Sequence, residues 1–456
     1  MPSSHSLPSV LLLTLTNSIR IIIVPLDTSL TYISTNYLLG RFKERSHEAG
    51  LTHYCEHLLG SLTSQKYKSS AYISEEIYRR GGNFNAYTTD YELSIYIKGI
   101  YDDIEFYMDI LSNTIADFYI EDDVKNKEKG AVIQEYMGFI SSNTYKFEYN
   151  MFRFLYPKYS YLADYEKQIK AVRHFDDKQI KGYIEKHLNT DNLVITITCP
   201  SSKVKETIKN AKKYFGVIKY KKTIAGYPVI KHEVSGNTSI NIVNIRNAIA
   251  DKNTAIAIHL SKRIEYFSAE YLILNFYIKL ILFNYDTGIF YKKLRKNLGI
   301  IYNIGITVNV DSYNPEMSNY VIVSKCHNKN TMTFLENFLD ILATYEIEDK
   351  LILNAKRHLK FNYETTKFNT LNSYNNDYKN QLLFNKKVLT NEEIYKKTLS
   401  ITPCQIKEYY KEFFVKDILS RHILFYYSNK NINREIASLY AKQIPSVKCK
   451  TLIIKN

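Results

Sequence analysis

Two apolar periods alternate along the chain. Residues 18–25, SIRIIIVP, are a β-branched run ending at a proline, and LTYISTNYLLG (30–40) continues in the same manner; both predict strands. In GLTHYCEHLL (50–59) the spacing changes, with Leu51, Tyr54, Leu58 and Leu59 recurring at helical intervals. A second helical run, AYISEEIYRR (71–80), stops at Gly81 and Gly82. NAYTTDYELSIYIKG (85–99) alternates as a strand pair, and residues 102–117 and 120–140 return to helical period. NLVITITCP (192–200) reads as a buried strand.

The theme then repeats. Residues 237–247, 254–262, 302–313, 319–328 and 422–429 predict strands, and 267–283, 331–345, 346–363 and 405–414 predict helices. Strands and helices in mixed order, twice over, define an α+β chain of two similar domains. The predicted boundaries are 1–220 and 237–456, joined by a linker at 221–236 that holds Gly226, Pro228 and Gly236 among charges. A length of 456 residues exceeds what a single hydrophobic core supports and agrees with that division.

Composition narrows the function classes. The net charge of +15 favours polyanions, and lysines cluster at 203–222 and 291–299. No RNP-like string or Cys/His finger spacing accompanies them, so the charge reads as a solvated surface and no nucleic-acid partner is predicted. The five cysteines are scattered without a CxxC, which argues against both a disulfide framework and a thiolate zinc site. The longest apolar region, 269–285, is interrupted by Glu270 and Lys279 and predicts a buried or amphipathic helix, with no membrane partner. The first twenty residues lack a basic stretch before their short apolar run and are not Arg-rich. The expectation is a soluble, intracellular, cytoplasmic protein, with the mitochondrial matrix left open.

The chemistry concentrates in the helix at 50–59. At about 100° per residue, His53, Glu56 and His57 leave one face, while Cys55 points the other way as a small buried side chain. Two imidazoles at i and i+4 with a carboxylate between them can hold zinc on the histidines and use the carboxylate as a proton carrier. The glutamate precedes the second histidine, the HxxEH order of inverzincins. A catalytic site needs a third ligand. Glu128 and Glu135, two turns apart, share a helix face with Val124 and Ala131, and carboxylates on a stripe expected to be buried are costly unless paired or metal-bound. A solvated Glu/Lys helix is the alternative, since Lys125, Lys127 and Lys129 are close by. His47 reads as a loop residue.

HxxEH followed by ExxxxxxE resembles the pitrilysin/insulinase family of zinc metallopeptidases, in particular its two-domain members akin to mitochondrial processing peptidase. The likeness extends along the chain. LTNSIRIIIVP (15–25) resembles the family's opening strand, with Ser18 in place of the usual Gly. AGLTHYCEHLL (49–59), RGGNFNAYTTDYELSIY (80–96) and LRKNLGIIYNIG (294–305) resemble its helix, edge-strand and second-domain motifs. The resemblance implies two domains, each a mixed, mostly antiparallel sheet packed with helices, facing each other like a clamshell. It implies His53, His57 and Glu135 as ligands of Zn2+, Glu56 as general base on a zinc-bound water, and Glu128 as the carboxylate orienting a ligand histidine. It further implies Asn85 and Ala86 on a strand that pairs with substrate backbone, and Arg295 and Tyr302 reaching from the second domain to hold substrate and stabilise the oxyanion.

The predicted function is zinc-dependent endoproteolysis of unstructured peptides or protein segments. The rival is a non-catalytic family member serving as a structural or assembly subunit; such members typically lose the zinc ligands that this sequence keeps. Two domains are half of what long family members carry, so the expected partner, besides substrate, is a second family-like chain in a homo- or hetero-oligomer.

Overall fold

The β-branched run that opens the sequence becomes a strand buried on both sides. The computed structural model describes residues 10–142, 144–222, 239–246, 252–311, 315–366, 378–383 and 387–454. In chain order the first elements are β1 (Leu11–Thr14), β2 (Arg20–Leu26), β3 (Leu30–Tyr37), α1 (Leu51–Gly60), α2 (Ser70–Arg79), β4 (Asn83–Thr88) and β5 (Leu93–Ile100). They are followed by α3 (Ile104–Ala116), α4 (Asp122–Ser141), α5 (Tyr145–Leu155), α6 (Tyr165–His174), α7 (Asp177–His187), β6 (Leu193–Pro200) and α8 (Val204–Phe215). β1 to β6 form a six-stranded sheet in the order β1-β2-β6-β3-β5-β4. The β2–β6 pair is parallel and the others antiparallel.

β7 (Ser239–Arg246), β8 (Asn253–Ser261), β9 (Ile301–Asn309), β10 (Asn319–His327), β11 (Ile423–Ser428) and β12 (Lys448–Ile454) form a second sheet in the order β12-β7-β11-β8-β10-β9. Here β7 pairs in parallel with β11 and β12, and the remaining ladders are antiparallel. Two mixed, mostly antiparallel sheets packed with helices are the α+β architecture that the sequence predicts. The predicted helix at 267–283 forms with a π-helical segment, Ile273–Ile278, in its middle.

The compact units are not two continuous stretches. The first comprises Met1–Asn143, Tyr159–Pro228 and Thr366–Asn391; the second comprises Thr144–Lys158, Val229–Thr365 and Glu392–Asn456. Helix α5 therefore belongs with the second sheet, where Phe147 stacks on Tyr427 and Phe154 meets Phe425 edge-on. Residues 378–383 belong with the first, where Tyr378 and Leu383 pack on Ile22, Val24 and Val194. That contact explains why β2 is apolar on both faces and β6 is buried on both: helices cover one, and a segment from late in the sequence covers the other. Of the predicted linker 221–236, residues 223–236 lie outside those described. Among the described residues no helix is long and apolar enough to cross a membrane.

Candidate metal centre

Helix α1 begins without a side-chain cap of its own. Gly50 stands at its N-cap with φ of 87°, a left-handed conformation that favours glycine. The buried Glu44 carboxylate replaces the cap, accepting the N–H groups of Gly50 at 2.9 Å and Thr52 at 2.7 Å. Burial raises the Glu44 pKa to about 7, against the pull of those two hydrogen bonds. Leu51, Tyr54, Cys55, Leu58 and Leu59 turn into the core, which leaves His53, Glu56 and His57 on the opposite side. Cys55 is fully buried, and burial pushes its thiol pKa well up. His47 is exposed beside Glu48.

Helix α4 faces this side of α1, fixed by the Tyr54 hydroxyl donating to the Lys125 carbonyl at 2.9 Å. The sequence reading placed Glu128 and Glu135 on the stripe that α4 buries, and the structure corrects this. The deeply buried positions are Val132 and Tyr136, whereas Val124 and Glu128 are partly buried and Ala131 and Glu135 are exposed. The carboxylates line an opening rather than a core, so a solvated approach to the histidines is preserved.

The five titratable side chains converge. Glu135 Oε2 lies 3.4 Å from His53 Nε2 and 3.5 Å from His57 Nε2. These separations are long for direct hydrogen bonds. They are close to the edge of a tetrahedron around zinc, about 3.3–3.4 Å for metal–ligand distances of about 2.0–2.1 Å. The donor set of two imidazoles and a carboxylate is also that of a catalytic zinc site. His53, Glu56 and His57 also form a group of their own, with ligand atoms within 4.8 Å of one another. Glu56 Oε2 is 3.9 Å from His53 Nε2, further than Glu135, so Glu135 fits the third ligand position and Glu56 stands beside it.

Electrostatics follow this layout. Burial opposes charge on His53, but contact with Glu135 and the nearby Glu56 outweighs it and raises the pKa. Burial raises the Glu56 pKa, and the two imidazoles only partly offset that. The Glu135 carboxyl is held below its usual range by His53, although burial works the other way. Glu128 Oε2 sits 2.9 Å from His57 Nδ1. A carboxylate there selects the Nδ1–H tautomer and leaves the Nε2 lone pair turned to Glu135.

Strand β4 has one neighbour in the sheet, β5, and its other edge is unpaired within the sheet. Asn85 is exposed and Ala86 half-buried, with the Ala86 N–H donating to Asn85 Oδ1 at 2.8 Å. The Thr88 hydroxyl adjoins Glu56 and favours its charged form, with no partner at hydrogen-bond distance among the described residues. A cleft of about 700 Å³ runs between this strand and α4, with Tyr136, Phe139 and Tyr165 on one wall and Arg41 paired to Asp90 on the other. Tyr136 stacks on Tyr165 and leans on His53. Sequence reasoning missed Glu44, Thr88, Tyr136 and Tyr165. A Tyr directly after Glu135 carries no signal among 41 tyrosines, and Glu44 is nine residues from the histidine it supports.

Arg295 and Tyr302 lie in the second unit. The Arg295 guanidinium sits 5.4 Å from the centroid of the Tyr302 ring and donates to the Ile301 carbonyl at 3.1 Å; Tyr302 is 69% exposed.

Comparison with known proteins bears on the fold and on the region that carries these side chains. Residues 38–153, which contain all five converging side chains, match insulinase, peptidase family M16. An uncharacterized zinc protease of Rickettsia felis is 22% identical over 338 residues, 71% of this chain and 75% of that protein. The mitochondrial-processing peptidase subunit beta of Caenorhabditis elegans is 23% identical over 227 residues, covering 48% of this chain and 47% of that one. Among solved structures, a protease from Helicobacter pylori superposes with a TM-score of 0.76 at 16% identity, covering 93% of this chain and all of that one. The M16 inactive domain from Pseudomonas fluorescens does so with 0.76 at 12% identity, covering 93% and 99%. These two share the fold. The family match over residues 38–153, the two relatives and the shared architecture together support the pitrilysin/insulinase family of peptidases, peptidase family M16, for this chain.

Proposed function

We propose that the protein is a zinc-dependent endopeptidase acting on unstructured peptides or protein segments. The observation that carries this reading is the approach of Glu135 to both imidazoles at 3.4 and 3.5 Å, with Glu56 alongside. His53, His57 and Glu135 would hold the ion, and Glu128 would keep His57 in the tautomer that binds it. Zinc supplies Lewis acidity, which polarises a peptide carbonyl and lowers the pKa of water to about 7.

The remaining steps belong to the chain. An extended substrate adds to the outer edge of β4, the strand that carries Asn85 and Ala86. Glu56 takes a proton from the attacking water as the new C–O bond forms, then delivers it to the amine as the C–N bond breaks. A carboxyl whose pKa is raised by burial suits both halves of that transfer. Arg295 and Tyr302 are assigned, by family resemblance, to holding substrate and stabilising the oxyanion. A second family-like chain is the proposed partner; a single-chain mass in sedimentation with full activity would contradict that.

Replacing Glu56 with Gln tests the role of the base. The expected result is about one zinc per chain, as in the wild type, with hydrolysis of unstructured peptides reduced by about 10²–10⁴-fold. Unchanged turnover would refute the assignment. A purely structural subunit would show no hydrolysis in the wild type either.

A further inference from the structure

Strand β4 is held from below by a residue almost three hundred positions away. Lys379 is buried, and its Nζ lies 2.6 Å from Glu92 Oε1 and donates to the Tyr87 hydroxyl at 2.5 Å. Tyr87 in turn donates to Glu92 Oε1 at 3.2 Å, which closes a triangle of three side chains. Glu92 ends the turn joining β4 to β5, where the Thr89 N–H donates to the Glu92 carbonyl at 2.7 Å. The segment carrying Lys379 is anchored independently: Arg20 donates to the Leu382 carbonyl at 2.8 Å, and Tyr378 and Leu383 pack on the sheet.

Successive residues of a strand point to opposite faces. Tyr87 therefore faces the Lys379 side, whereas Ala86 and Thr88 face α1, where Thr88 adjoins Glu56. A buried ion pair contributes little net stability, because desolvation offsets its attraction, but it fixes geometry. An edge strand with a single neighbour is where such fixing matters.

We infer that Lys379, through Tyr87 and Glu92, is a positioning residue that holds β4 in the conformation that accepts an extended peptide. This rests on the peptidase reading for the identity of the ligand. A strand already ordered before binding loses less freedom when substrate pairs with it, so the lock acts on peptide affinity.

Two variants test it. Tyr87→Phe removes only the hydroxyl, and Lys379→Met combined with Glu92→Leu removes both charges together, so that neither is left buried alone. The first measurement is amide hydrogen exchange. Exchange at residues 83–88 is expected to quicken at least tenfold in both variants, with β3 unchanged within twofold. The second is the affinity of a fluorescent unstructured peptide, measured in a Glu56→Gln background so that turnover is not needed; it is expected to weaken about tenfold. Wild-type exchange at 83–88, equal quickening in β3, or unaltered peptide affinity would each overturn the inference. A wild-type protein that binds peptide but never hydrolyses it would refute the peptidase reading instead, and the two measurements would still decide the role of Lys379.

Discussion

Removing the Glu128 carboxylate should weaken zinc binding without unfolding the helices that carry the ligands. Glu128 Oε2 lies 2.9 Å from His57 Nδ1, and the two side chains are 25% and 19% exposed. In Glu128→Ala, His57 loses the acceptor that fixes its tautomer and ring orientation. Groups in this position typically govern metal affinity by about 10- to 100-fold, or about 1.4–2.8 kcal/mol. Partial exposure lets water replace the carboxylate, which points to the lower half of that range. Glu128→Gln keeps an acceptor oxygen but no charge, so it should lose less. Competition with a chromogenic chelator gives the zinc affinity directly. Thermal unfolding with and without zinc gives an independent reading, since the zinc-dependent stabilisation must shrink by the free energy lost in binding. A zinc affinity in Glu128→Ala within twofold of wild type would refute the argument. So would a loss of stability that is equal in the metal-free and zinc-loaded proteins.

Three further outcomes follow from the geometry. Glu44 has a folded pKa near 7, above its ordinary 4.5, so its contribution to stability is fully present below about pH 4.5 and is lost as pH rises through about 7. The stability difference between wild type and Glu44→Gln in denaturant titrations should therefore fall by about 3 kcal/mol between pH 4 and pH 8; a pH-independent difference would contradict it. Gly99→Ala would drive a Cβ into the ring and hydroxyl of Tyr107, which is fully buried, so unfolding stability should drop by about 1–3 kcal/mol. Gly130→Ala on α4 meets nothing within 4 Å and should instead stabilise by about 0.5–1 kcal/mol in the same assay.

Much of this was legible along the chain. The period of apolar residues located α1, α4 and most strands, because each element must bury one face and the spacing of that face is local. The pair His53 and His57 was legible for the same reason, since i and i+4 on a helix are neighbours whatever the fold. Several elements escaped: β1 is only four residues long, β12 is interrupted by lysines, and helices α5 to α8 went unpredicted although apolar residues recur in them at helical spacing.

What only tertiary structure decided is everything that depends on partners distant in sequence. The approach of Glu135 to both imidazoles requires α4 to pack on α1, a contact between helices 71 residues apart at Tyr54 and Lys125. The stripe that α4 buries, Val132 and Tyr136 rather than Glu128 and Glu135, was set by that packing and not by helical period alone. Likewise, the sequence determines that β2 is apolar on both faces, but only the fold assigns residues 378–383 to cover one of them and brings Lys379 beneath Tyr87. Local periodicity fixes which residues must be buried; it carries no information on which remote segment arrives to bury them.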